Sequence, residues 1–102
     1  MGAEAFIIKS HGKTAKEAFK LAVETALYDR GHSGYTGSIA EKDKFIMISN
    51  EEFESYVDAE NYANNLIDED DNRISDKWGP AGCLKYKGKS GINYLFFGWA
   101  SS

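Results

Sequence analysis

Residues 93–100, Asn-Tyr-Leu-Phe-Phe-Gly-Trp-Ala, alternate as a strand does, and both of the faces they define are apolar. Leu95, Phe97 and Trp99 fall on one side, while Tyr94, Phe96 and Ala100 fall on the other. Such a strand is not at home with one side in water, so each side needs a cover. That requirement constrains the rest of the chain more than any other segment does.

The chain has 102 residues, which suits one domain, because two would each be too small to bury a useful core. Ala3 to Lys9 reads as a short strand that Gly12 breaks. Thr14 and Glu17 match a capping box, and Ala15, Ala18, Phe19, Ala22, Val23, Ala26 and Leu27 repeat at helical spacing. The spacing predicts an amphipathic helix ending at Gly31, the residue type that tolerates the left-handed terminating conformation. Ser38 to Glu41 reads as the opening of a strand, and Phe45 to Ser49 as a further strand.

Ala59, Tyr62, Ala63, Leu66 and Ile67 predict a second amphipathic helix between Tyr56 and Asp68, with Asp58 as its cap. Asp68 to Asp71 ends it in an acidic turn, and Trp78 to Gly82 forms a loop around Pro80. Leu84 to Lys87 and Asn93 to Ala100 are joined as a hairpin through Gly88 to Gly91. The resulting order, β-α-β-β-α-β-β, predicts an α+β domain over residues 1–102. It corresponds to a ferredoxin-like split βαβ with an extra C-terminal strand, an antiparallel sheet carrying two helices on one face. Helices on one face leave the other apolar face of the last strand bare. A second subunit is the expected cover, which makes the chain a homo-oligomer.

Charge and motif spacing exclude several functions. The net charge of −4 and the absence of a basic stripe disfavour long nucleic acid, whose binding depends on Lys and Arg neutralising phosphates. One cysteine, Cys83, precludes an internal disulfide framework and fits a small core residue in a reducing compartment, so a cytoplasmic location is expected. No stretch has the length of a membrane span. Gly12, Lys13 and Thr14 resemble the end of a phosphate loop, but Ile7 stands where its first glycine belongs. Asp68, Asp70 and Asn72 begin like a calcium loop, yet Arg73 and Gly79 occupy the positions of its glycine and glutamate. One Cys with His11 and His32 gives no zinc spacing, so neither a metal nor a cofactor is expected.

Two segments remain as binding loops. Residues 31–38 carry Gly31, Gly34 and Gly37 among His32, Ser33, Tyr35, Thr36 and Ser38, so backbone can approach a ligand closely and Tyr35 can stack on a flat ring. The second segment holds Arg73 and Lys77 beside Trp78. Cations, hydroxyls, amides and aromatics together suit a small nucleotide-like ligand that is bound and not transformed. Two alternatives stand beside this reading. An acidic surface made by Glu51, Glu52, Glu54 and Asp68 to Asp71 would contact and inhibit a basic protein partner, or a small hydrolase would act through His32.

Four stretches carry a resemblance: Met1 to Ala3, Gly31 to Lys42 (GHSGYTGSIAEK), Asp76 to Cys83 (DKWGPAGC) and Tyr94 to Ser101 (YLFFGWAS). Together they resemble a family of small proteins found in phages and bacteria. The chain also looks like the phage sponge proteins that defeat CBASS immunity. That resemblance implies an oligomer in the infected host cell that sequesters a cyclic nucleotide signal between subunits without cleaving it.

Overall fold

The computed structural model describes residues 2–30, 37–89 and 91–101. Strand β1 (Ala3–His11) leads into helix α1 (Ala15–Arg30), then a single 3-10 turn (Ile39–Glu41) and strand β2 (Phe45–Phe53). Helix α2 (Tyr56–Asp68) and strands β3 (Ala81–Gly88) and β4 (Gly91–Ser101) follow. The strands form one sheet in the order β1-β4-β3-β2. β4 pairs antiparallel with both β1 and β3, while β2 pairs parallel with β3. The architecture is α+β, two helices with a four-stranded mixed sheet. It is compatible with a ferredoxin-like split βαβ with an added strand, in which β4 and β3 separate the parallel strands β1 and β2.

Local chemistry accounts for the element boundaries. The Glu17 amide donates to Thr14 Oγ1 at 3.2 Å, as the predicted capping box requires, while the Glu17 carboxylate accepts at 2.9 Å from the amide of Lys13, one residue before the cap. The cap of α2 is Ser55, whose hydroxyl accepts from the Asp58 amide at 3.2 Å, so Asp58 lies in the first turn and does not cap it. The expected strand at Ser38 to Glu41 is instead the 3-10 turn. The Ser38 hydroxyl accepts from the Ala40 amide, and the Glu41 and Lys42 amides return to the Ser38 and Ile39 carbonyls. These short-range bonds curl the segment out of extended geometry, so the described residues form four strands and not five. The predicted helix terminator Gly31 lies outside the described residues.

The sheet is not wholly antiparallel, and its helices are not on one face. Ala18, Ala22 and Ala26 of α1 pack with Cys83, Tyr94 and Phe96, whereas Ala59, Ala63 and Leu66 of α2 pack with Leu84, Tyr86, Leu95 and Phe97. Each face of β4 therefore has its own helix. The reason lies in chain direction. α1 carries the chain from β1 at one edge to β2 at the other, and α2 brings it back to β3. Two crossovers of one hand between parallel strands, running in opposite directions, place their helices on opposite sides. The premise for a second subunit covering a bare face falls away with this arrangement.

Packing divides into bulk from the sheet and smooth surface from the helices. Alanines spaced four apart let both helices approach closely, and the aromatic volume comes mainly from the strands and their ends. Phe19, Phe45 and Phe96 form a triangle with ring centroids 5.1, 5.5 and 5.6 Å apart on the α1 side. On the α2 side Ile74, only 1% exposed, plugs the loop before β3 into the core.

Gly82 is set by that plug. A Cβ there would come within 2.8 Å of Phe97 Cζ and 2.9 Å of Ile74 Cγ2. Gly82→Ala is expected to cost about 1–3 kcal/mol through overpacking. It should appear as a lower urea midpoint with an unchanged slope, and an unchanged midpoint would refute this account. Cys83 is fully buried, and desolvation pushes its thiol up to about 12. A thiol reagent at neutral pH should therefore label it only as fast as the protein unfolds. Rapid labelling of native protein would contradict this burial.

Candidate functional site

β1, β2 and β3 run in the same direction, so the segments that precede β2 and β3 gather at one end of the sheet. The loop from 69 to 80 is built there by its own acidic residues. Asp71 accepts from the Arg73 amide at 2.9 Å, and the Ile74 amide donates to the Asp71 carbonyl at 3.0 Å. Asp76 repeats the device, accepting from the Trp78 amide through its side chain and from the Gly79 amide through its carbonyl, both at 2.9 Å.

Lys42 holds this loop from beneath. It is 5% exposed, and its ammonium donates to the carbonyls of Asp76, Lys77 and Gly79 at 3.4, 3.1 and 2.9 Å. All three of its protons thus have acceptors. Burial pushes this ammonium below the usual lysine value, against the smaller opposing pull of Asp76 and Asp43. The sequence places Lys42 in a polar turn, and nothing near it indicates this role, because its acceptors lie 34 to 37 residues away.

Lys77 and Trp78 stand on the turn so fixed. The Trp78 side chain is 61% exposed, and Lys77 Nζ lies 5.5 Å from its ring centroid while donating to the Gly2 carbonyl at 3.3 Å. Beside them a cavity of about 470 Å³ is lined by Ala3, Asp68, Asp70, Ser75, Lys77 and Trp99, among others. The Trp99 indole N–H is shielded from solvent and has no hydrogen-bond partner among the described residues.

The remaining predicted site residues are distributed differently. Arg73 grips Asp71 through two contacts, Nε at 3.0 Å and Nη2 at 3.1 Å, and its Nη1 donates to the Ile48 carbonyl at 3.3 Å. The guanidinium holds the Asp71 carboxyl below the usual range, and the pair ties the loop to β2. Ser38 is buried, caps the 3-10 turn and borders a different cavity with Glu4, Thr25 and Asp29. His32, Ser33, Tyr35 and Thr36 lie outside the described residues. The structure thus brings Arg73, Lys77 and Trp78 onto one loop, and it adds Ser75 and Trp99, which the sequence reading did not select.

Among the described residues, no three of His, Cys, Asp and Glu gather as a metal site, and no helix is long and apolar enough to cross a membrane. Comparison with family models, with curated proteins and with solved structures found no match in any of the three.

A lysine whose folded pKa is lowered carries fewer protons folded than unfolded between the two values, so its linkage makes stability rise with pH in that window. The window ends near the ordinary lysine value of about 10.4. Lys42→Met leaves three carbonyls without their donor and should lose about 1–3 kcal/mol. In urea titrations at several pH values the wild type's advantage should widen as pH approaches that upper limit. Parallel pH profiles for the two proteins would show that Lys42 is not the group responsible.

Proposed function

We propose that this chain binds and retains a small nucleotide-like ligand, without cleaving it, on the turn that carries Lys77 and Trp78. The observation that carries the reading is an exposed indole with an ammonium 5.5 Å from its ring, on a turn whose carbonyls are fixed by a buried lysine. A large aromatic held out in water on a fixed stretch of backbone is a stacking platform, and stacking on such a ring is worth about 1–3 kcal/mol per base. Lys77 supplies a cation for a phosphate. Ser75, Asp68 and Asp70 supply a hydroxyl and carboxylates for ring amines or ribose hydroxyls.

A cyclic nucleotide signal, the ligand implied by the resemblance to phage sponge proteins, is the specific form of this proposal. Pre-fixing the turn suits sequestration, because a site that needs little ordering on binding retains more of its contact energy as affinity. The residues involved belong to one chain, so the reading does not depend on a second subunit.

A thermal-shift screen with cyclic di- and trinucleotides and AMP tests it. A ligand at about a hundred times its dissociation constant adds roughly 2.7 kcal/mol, a rise of about ten degrees or more for a domain of this size. Trp78→Ala should weaken the responding ligand by roughly fivefold or more at unchanged circular dichroism. Nucleotide recovered after heating should be chemically intact. A ligand that shifts wild type and Trp78→Ala equally would remove the site from this turn, and no response to any nucleotide would end the reading.

A further inference from the structure

At the opposite end of the sheet, where β1, β2 and β3 finish, a second concavity of about 410 Å³ is lined by Lys9, Ser10, His11, Tyr86 and Asn93. Register explains how these residues meet. His11 stands opposite Asn93 across the β1–β4 pair, and Asn93 stands opposite Tyr86 across the β4–β3 pair. The three side chains therefore form one row over three strands, on the face that α2 covers elsewhere, with Lys9 two residues along on the same face. Ser10 points to the other face, where its hydroxyl donates to the Ala18 carbonyl at 2.8 Å, so it presents backbone here.

The first residue of α2 packs against two side chains of this lining. The ring of this residue, Tyr56, meets Tyr86 edge-on at 5.6 Å and lies beneath Lys9 Nζ at 5.3 Å. Asn93 is positioned in its turn. A Cβ at Gly88 would collide with the Asn93 amide, so glycine makes room for that side chain, which hydrogen-bonds the Tyr86 phenol. Burial pushes the Tyr86 phenol above its usual range, against the smaller opposing effect of the Asn93 hydrogen bond.

The charge of the lining decides the ligand. The cavity beside Ser38 includes Glu4 with Asp29 and the one beside Lys77 includes Asp68 with Asp70, whereas no carboxylate among the described residues lines this one. Nearby acids have other contacts: Glu60 accepts from the Tyr56 hydroxyl at 2.9 Å, and Glu54 pairs with Lys87 at 3.4 Å. On a chain of net charge −4, this corner gathers an ammonium, an imidazole and an amide around one hollow.

We propose that it is a phosphate site, taking free phosphate or the phosphate of a small ester, with Lys9, His11 and the Asn93 amide as its donors. Imidazole offers an N–H that can donate to a phosphate oxygen. The site is independent of the Lys77–Trp78 turn and lies at the other end of the strands.

The ¹⁵N-labelled chain titrated with sodium phosphate, and separately with glycerol 3-phosphate, at constant ionic strength and pH 7 tests this. Saturable shifts are expected at the Ser10, His11 and Asn93 amides while Lys77 and Trp78 stay still. A tighter response to the ester would assign the site to a phosphorylated metabolite, and an equal response would assign it to phosphate itself. Lys9→Met should raise the dissociation constant at least roughly tenfold. Asn93→Asp, nearly isosteric but anionic, should abolish binding while the spectrum of the folded protein persists. Shifts that remain linear with phosphate, match those from chloride, or survive Asn93→Asp would overturn the proposal.

Discussion

β4 has a strand on each edge and a helix on each face, and the rest of the molecule is arranged around meeting those four demands at once. Its side chains alternate between two cores, Leu95 and Phe97 into one, Tyr94 and Phe96 into the other, and burying an aromatic of this size is worth about 1.5–3 kcal/mol. A single chain can supply both helices only if its crossovers run in opposite directions between parallel strands. That solution also sorts the loops. The connections that precede β2 and β3 collect at one end, and both helices begin at the other. The two candidate sites inherit their character from this sorting: a polar turn with an exposed indole at one end, and a cation-lined hollow beside a helix start at the other.

Lys42 shows how a loop without regular structure is given one shape. Carbonyls turned inward need donors, and a single ammonium answers three of them from within the protein. Asp71 and Asp76 impose local turns, Arg73 binds the loop to β2, and Ile74 anchors it in the core. The turn presenting Lys77 and Trp78 is therefore held from several sides, so the exposed aromatic stands on a fixed stretch of backbone.

Much of the local structure was legible in the sequence. Thr14 and Glu17 announced the start of α1, the alanine spacing marked both helices, and the glycines at 88 and 91 marked the hairpin. The double-faced pattern of residues 93–100 correctly demanded two covers. What failed was the assignment of the second cover, because the face a helix takes depends on strand direction and order, which no local pattern encodes. Ser38 to Glu41 misled for a simpler reason: a serine ahead of two apolar-compatible residues fits a strand or a capped turn equally well until its hydroxyl finds a partner. At the candidate site Trp78 and Lys77 could be picked out by residue type. Trp99 read as core, and Lys42 left no trace, since its partners are distant in sequence.

The central place of β4 has a consequence for how the fold comes together. β1 is made first, yet β4, which follows the other three strands in the chain, is the only strand it pairs with among the described residues. β2, α2 and β3 can associate as a contiguous unit as soon as they emerge, but β1 and α1 have no sheet to join until the last strand is inserted between β1 and β3. The chain is thus committed to a late, long-range closure. During synthesis its N-terminal third waits, with Phe6, Ile8 and Phe19 only partly covered, for residues nearly the full length of the chain away. Protection of that interval falls to whatever shields nascent apolar segments, more than to any property of the finished structure.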